Sequence, residues 1–317
     1  MAEQKTALVL GATGGVGGEV ARRLHAQGWR IRALSRRPDA VAREFEPVTG
    51  DALDAAAVRA AAADVDLIVH AVNPPGYRNW GELSLPMLDN TIAAARESGA
   101  RIAFPGTVYN YGPDAGGFVA EDAPQNPSTR KGKIRVEMER RLEQAVGAGV
   151  RTTILRCGDF FGPRPGNNWF SDGLVQPGKP VRRVIYPGAL DLPHNWAFLP
   201  DVAEAFVRLI ERPGQHAPFE RFHFAGHDVT GHAFVAAIAG AAGRERLPVL
   251  PLPWPILSLA APFNETLREM REMRYLWKQP VRLDGRRLEA AIGPEPRTGL
   301  DEAVRLTLEG LGCLGHA

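Results

Sequence analysis

The residues with the clearest chemical meaning lie near the start of the chain. In Leu8-Val9-Leu10-Gly11-Ala12-Thr13-Gly14-Gly15-Val16-Gly17-Gly18, glycines recur at intervals of three directly after an apolar run. Glycine lets backbone turn tightly and approach a bulky anion, and the free N–H groups of a helix start attract phosphate. Gly11 suits the tight turn, Gly14 the close approach to a pyrophosphate, and Gly17 the packing of helix on strand. Thr13, Gly15 and Val16 complete the loop, and the chemistry it implies is dinucleotide binding. A glycine-rich turn without a ligand is the plainer alternative. Further on, Ser35-Arg36-Arg37 stands where a carboxylate would hold the ribose 2′-hydroxyl of NAD. A hydroxyl and two guanidiniums suit a 2′-phosphate instead. NADP(H) is therefore the expected preference, with NAD(H) as the other cofactor; arginines coating a surface turn are the competing reading.

These residues need elements to hold them. Thr6–Leu10, Arg30–Leu34, Glu46–Val48, Leu67–Val72, Arg101–Phe104 and Thr152–Leu155 read as strands. Helices are expected from Val16 to Gln27 and over Ala55–Ala63, Leu85–Ser98 and Arg130–Ala148. Such alternation predicts an α/β fold, a Rossmann-type doubly wound parallel sheet with right-handed crossovers and ligands at the carboxyl ends of its strands. Beyond about residue 156 the pattern loosens, glycine and proline punctuate Gly158–Pro193, and helices return at Asp201–Glu211, Gly231–Ala242 and about Pro255–Trp277. The expected division is a nucleotide-binding domain over 1–160, with later strands contributed from 190–228, and a smaller, interleaved C-terminal substrate lobe over 161–317.

Composition narrows the function classes. The 317 residues carry 38 Lys+Arg against 36 Asp+Glu, a formal charge of +2, which gives no reason to expect nucleic acid as a partner. Hydrophobic residues at 44% and charged residues at 23% are ordinary for a globular protein and exclude wholesale disorder. Cys157 and Cys313 are too few for a disulfide framework or a zinc site, so no metal is expected and a reduced, cytoplasmic setting is. The most apolar stretch, Pro248–Phe263, contains five prolines, and no membrane span is expected.

From the glycine loop onward the chain resembles the extended branch of the short-chain dehydrogenase/reductase superfamily, the NAD-dependent epimerase/dehydratase family. The loop itself, Thr107-Val108-Tyr109-Asn110-Tyr111-Gly112, Leu155-Arg156-Cys157-Gly158-Asp159-Phe160-Phe161-Gly162-Pro163 and Phe198-Leu199-Pro200-Asp201 carry the likeness. The resemblance implies that Asp51 meets the adenine amino group, a helix N-cap being the alternative. It lays Ala71, Val72 and Asn73 along the cofactor and makes Thr107 the hydroxyl that binds a reacting carbonyl, a turn threonine being the alternative. The family also expects Y-x-x-x-K, often with Glu four residues beyond the lysine. Lys133 and Glu137 fit, but the tyrosine position is then Thr129. Lys133 would hold the nicotinamide ribose, or else pair with Glu137 on a solvated face.

With Thr129 in that place the proton donor must be sought elsewhere: in Tyr109 beside Thr107, or in a water or the substrate itself. Asp159, where the family carries Asn, argues against a nucleotide-sugar, whose phosphates it would repel. His194, Asn195 and Trp196 are candidates for the pocket wall, His194 reading more plainly as a solvent-facing loop residue. The expected function is an NADP(H)-dependent oxidoreductase or epimerase on a small carbonyl or hydroxyl compound, as a possible homodimer. A non-catalytic NADP(H) sensor of the NmrA-like kind is the alternative.

Overall fold

The computed structural model describes residues 4–74, 79–164, 166, 168–214 and 216–314. Its first half alternates as β1 (Thr6–Leu10), α1 (Gly15–Ala26), β2 (Arg30–Ser35), β3 (Glu46–Thr49), α2 (Ala55–Ala61), β4 (Leu67–His70), α3 (Trp80–Ser98), β5 (Arg101–Thr107), β6 (Phe118–Val119), α4 (Arg130–Gln144) and β7 (Arg151–Cys157). The second half runs β8 (Asp159–Phe161), β9 (Val184–Tyr186), β10 (Pro193–Phe198), α5 (Leu199–Glu211), β11 (Phe219–His223), β12 (His227–Thr230), α6 (Gly231–Ala241), β13 (Val249–Pro251), α7 (Trp254–Ala260), α8 (Glu265–Glu272), β14 (Arg282–Leu283), α9 (Arg286–Ile292) and α10 (Leu300–Gly310).

Seven parallel strands form the main sheet in the order β11-β7-β5-β4-β1-β2-β3. The strand order reverses direction between β1 and β4, and a crevice opens there at the strands' carboxyl ends. Strands β1, β4 and β5 are buried along their whole length, as strands covered on both faces must be. One apolar cluster joins β1 to α1 and α5, and a second joins the other sheet face to α2, α3 and α4. The seventh strand, β11, comes from the second half of the chain, where it registers Phe219–His223 against Thr152–Arg156 of β7. Two small sheets, β12-β10-β8 and β13-β9, build around a core of Phe161, Phe170, Trp196, Phe234 and Trp277, while β14-β6 packs in a separate cluster with Val108, Tyr111 and Met273.

Two expected helices are corrected. The third begins at Trp80 rather than Leu85: Pro86, which suggests a helix start, lies inside it. The stretch from Pro255 to Trp277 is broken in two. Pro262 falls in a tight turn at Ala261–Phe263, and the Asn264 side chain then accepts from Leu267 N to cap α8. Asp201 lies in the first turn of α5, whose N-cap is Phe198, and its carboxylate takes Thr298 N and Oγ1 at 2.7 and 2.8 Å, tying the late chain to α5. Among the described residues no helix is long and apolar enough to cross a membrane.

Candidate active site

The glycine loop folds as its composition requires. Gly11 has φ +93°, and a Cβ there would stand 2.6 Å from Ala71 O. At Gly17 a Cβ would lie 2.4 Å from Gly11 O, so this glycine is what lets α1 sit against the loop. Gly14 caps α1 with no side-chain bond, and the first turn holds no acidic residue, so the helix start keeps its positive end for an anion. These features fit a dinucleotide: backbone approaches as closely as phosphate recognition needs, and no carboxylate opposes it.

One cleft gathers nearly all the candidate residues. Gly11, Thr13, Gly14, Gly15 and Val16 form its floor, Ser35, Arg36, Arg37 and Asp51 one end, and Ala71, Val72, Asn73, Thr107 and Tyr109 the continuation to the other. Gly17 lies beneath the floor, packed on Gly11. At the first end Arg37 N donates to Ser35 Oγ at 3.0 Å, and Arg36 Nη1 stands 3.8 Å from Asp51 Oδ2. Asp51 accepts from Leu53 N, while the cap of α2 is Asp54, which takes Ala56 N and Ala57 N. The capping alternative for Asp51 is thus filled by its neighbour.

At the other end Thr107 is buried and its Oγ1 accepts Tyr109 N at 3.3 Å. Tyr109 Oη donates to Asp159 Oδ1 at 3.1 Å, and His194 Nε2 meets Asp159 Oδ2 at 2.8 Å. The His194 ring lies flat on Trp277, with centroids 3.8 Å apart. His194 is therefore an interior residue of β10, only 6% exposed, and not the solvent-facing loop residue its surroundings in sequence suggest. Phe160 and Trp169 add apolar wall to this end of the cleft. Cys157 is buried, and burial pushes its thiol well up, which removes it as a nucleophile.

Lys133 is the candidate the fold sets apart. Residues two apart on a helix point about 200° apart, and the inward positions of α4 are Lys131, Ile134, Arg135, Met138, Glu139 and Leu142. Lys133 is on the outer side, exposed and away from the cleft wall. Glu137 does not pair with it; it takes Arg140 Nε at 2.6 Å and Arg141 Nε at 2.8 Å. Thr129 is the N-cap of α4, its hydroxyl accepting Gly132 N at 3.0 Å. The α4 residue that lines the cleft is Arg135. It escapes a sequence reading because a cation at that spacing looks like surface; the signal was the apolar repeat it interrupts.

Behind the site runs a buried polar chain. Arg156 pairs with Glu139 through Nη2 at 2.5 Å and Nε at 2.9 Å and also bonds the Tyr111 hydroxyl, which meets His223 Nε2 at 2.7 Å. A guanidinium and a carboxylate so deeply buried hold their places because each satisfies the other. They fix β7 against α4 and so fix the loops that follow both.

The family model for the NAD dependent epimerase/dehydratase family matches residues 7–224. The chain belongs to that family. Relatives include the dTDP-6-deoxy-L-talose 4-dehydrogenase (NAD(P)(+)) of Kitasatospora kifunensis, 31% identical over 177 residues, which are 50% of this chain and 54% of that protein. The 3-diazoavenalumate denitrifying reductase of a Streptomyces species is 28% identical over 208 residues, 60% of this chain and 65% of that one. The matches thus span between about half and two thirds of these relatives' own lengths. Among solved structures, L-threonine dehydrogenase from Clostridium difficile superposes with a TM-score of 0.79 at 18% identity, covering 98% of this chain and 99% of that chain. The likeness in fold therefore continues past residue 224, where the family match ends, and takes in 98% of the chain.

Proposed function

We propose that this member of the family is an NADP(H)-preferring oxidoreductase or epimerase acting on a small carbonyl or hydroxyl compound. The observation that carries this reading is the continuity of one cleft from Arg36 and Arg37, over the glycine floor, to Thr107, Tyr109 and Asp159. A dinucleotide bound along it supplies the hydride chemistry. The protein's part is to orient and to exclude water. Thr107 Oγ1, occupied as an acceptor by Tyr109 N, keeps its proton to donate to a substrate oxygen. Tyr109 and Asp159 offer a second polar contact, held in place by His194. Phe160 and Trp169 make the surroundings apolar, which strengthens each of these contacts. The Asp159 carboxylate in the wall disfavours a substrate with its own phosphates.

The test combines binding with turnover. NADPH and NADH are titrated by cofactor fluorescence, and NADPH oxidation is followed optically with aldehydes, ketones and keto-sugars. Tighter NADPH binding and oxidation with at least one carbonyl class are expected. Tight binding with no turnover over a broad panel would replace catalysis by NADP(H) sensing.

A further inference from the structure

The family's spacing of a proton-donating residue, a cation four residues on and a carboxylate four beyond that occurs twice on α4. At Thr129, Lys133 and Glu137 the hydroxyl caps the helix and the two charged groups face outward. Two residues later the same spacing gives Lys131, Arg135 and Glu139, and all three are buried on the inward face.

We propose that Lys131 and Arg135 take over the work that a tyrosine–lysine pair does elsewhere in the family, Arg135 holding the nicotinamide half of the dinucleotide and Lys131 exchanging the proton with the substrate oxygen. This rests on the dinucleotide reading above. Arg135 lines the cleft and is held by four neighbours: it donates to Pro105 O at 3.2 Å and Asn73 Oδ1 at 3.3 Å, and its guanidinium lies 5.0 Å over Trp80 and 5.4 Å over Phe104. A planar fork so held grips two neighbouring hydroxyls, as on a ribose, side by side.

Lys131 is 2% exposed, with Nζ 3.7 Å from Glu269 Oε2 on α8. Burial pushes its ammonium down to about 8, against the opposing pull of Glu269 and Glu272 on α8 and of Asp159 on β8. Lys131 lies one turn before the cleft-lining Arg135 on the same buried face of α4, and Asp159, whose charge acts on it, forms part of the cleft wall. A lysine titrating there both gives and takes a proton near neutral pH. In the forward direction one N–H bond breaks as the substrate O–H forms. In reverse the neutral amine recovers the proton.

The experiment uses the full chain labelled with 15N-lysine, and NADPH and 2′,5′-ADP as probes. Arg135→Met is expected to weaken NADPH about tenfold, the loss of a charge-assisted hydrogen bond. It should leave 2′,5′-ADP, which lacks the nicotinamide half, nearly unchanged, and Arg135→Lys should recover most of the loss. Among five lysine signals, the one removed in Lys131→Arg should titrate near 8. It should shift when NADPH is added and titrate lower still in Glu269→Gln. Equal weakening of both probes by Arg135→Met, no weakening of NADPH, or a Lys131 midpoint in the ordinary range near ~10.4 would overturn the pair. Failure of wild type to bind NADPH or NADH would overturn the dinucleotide reading itself.

Discussion

Replacing Arg36 by alanine tests the cofactor preference most directly. Its guanidinium stands at the Ser35–Asp51 end of the cleft, where the proposed dinucleotide would place its adenosine, 3.8 Å from Asp51, with side chains 65% and 36% exposed. A hydrogen bond to a charged group contributes roughly 1.5–3 kcal/mol, but an exposed ion pair contributes only about 0.2–1. A phosphate seated at the cleft rim falls between, at about 1–2 kcal/mol, or roughly a five- to thirtyfold loss of NADPH affinity. NADH, with no 2′-phosphate, should lose less than about twofold, since only the weak Arg36–Asp51 pair is removed. Fluorescence titration of each cofactor against wild type and Arg36→Ala gives the four constants. Repeating it at 1 M salt, where charges act over only about 3 Å, should shrink the NADPH difference. Asp51→Asn should change NADPH affinity in the opposite sense, because it frees Arg36 and removes a like charge. Equal losses for the two cofactors would refute the assignment.

Other parts of the molecule make equally definite predictions. Gly17→Ala places a methyl group 2.4 Å from Gly11 O; it should cost about 1–3 kcal/mol of stability and abolish NADPH binding, and a variant that binds normally would show that the loop tolerates the intrusion. Tyr109→Phe should lower kcat/KM about tenfold by removing the contact to Asp159 while leaving the NADPH Kd unchanged; an unaltered kcat/KM would exclude Tyr109 from the site. His70 is fully buried against Thr91, and burial, followed by the charge of Arg135, lowers its pKa to about 3. The folded state therefore keeps it neutral while the unfolded chain protonates below ~6.5, so stability present above that pH is lost as pH falls toward 3. At pH 5.5 the loss is about 1.4 kcal/mol, and the urea-measured handicap of His70→Gln should shrink by about that much between pH 7.5 and 5.5. A constant handicap would contradict a neutral, buried His70.

What the sequence carried and what it concealed follow from how local each signal is. The glycine loop, Ser35–Arg37 and Thr107 could be placed from a few neighbouring residues, because turn geometry and the strand before the loop decide their positions. The register of α4 could not. Lys131, Arg135 and Glu139 put charges on its buried face, so hydropathy alone did not separate inside from outside. The Thr129 hydroxyl that satisfied one spacing was consumed as a cap. His194 and Asp159 meet across 35 residues of chain, through β8 and β10 pairing. Such a contact is set by sheet topology and leaves no mark in either segment.

The position of β11 bears on how the chain reaches its fold. Residues 151–157 pair on one side with β5 but on the other with a strand supplied only at 219–223. During synthesis from the N-terminus, β7 must wait some sixty residues of further chain with an open edge, a ready template for pairing with another molecule. His223, the partner of Tyr111, arrives with the same strand. The N-terminal half therefore does not finish folding when its own residues have been made. A gene cut near residue 160 would release a sheet with an exposed margin, and rescue should require the missing segment supplied in trans rather than a better promoter or a colder culture.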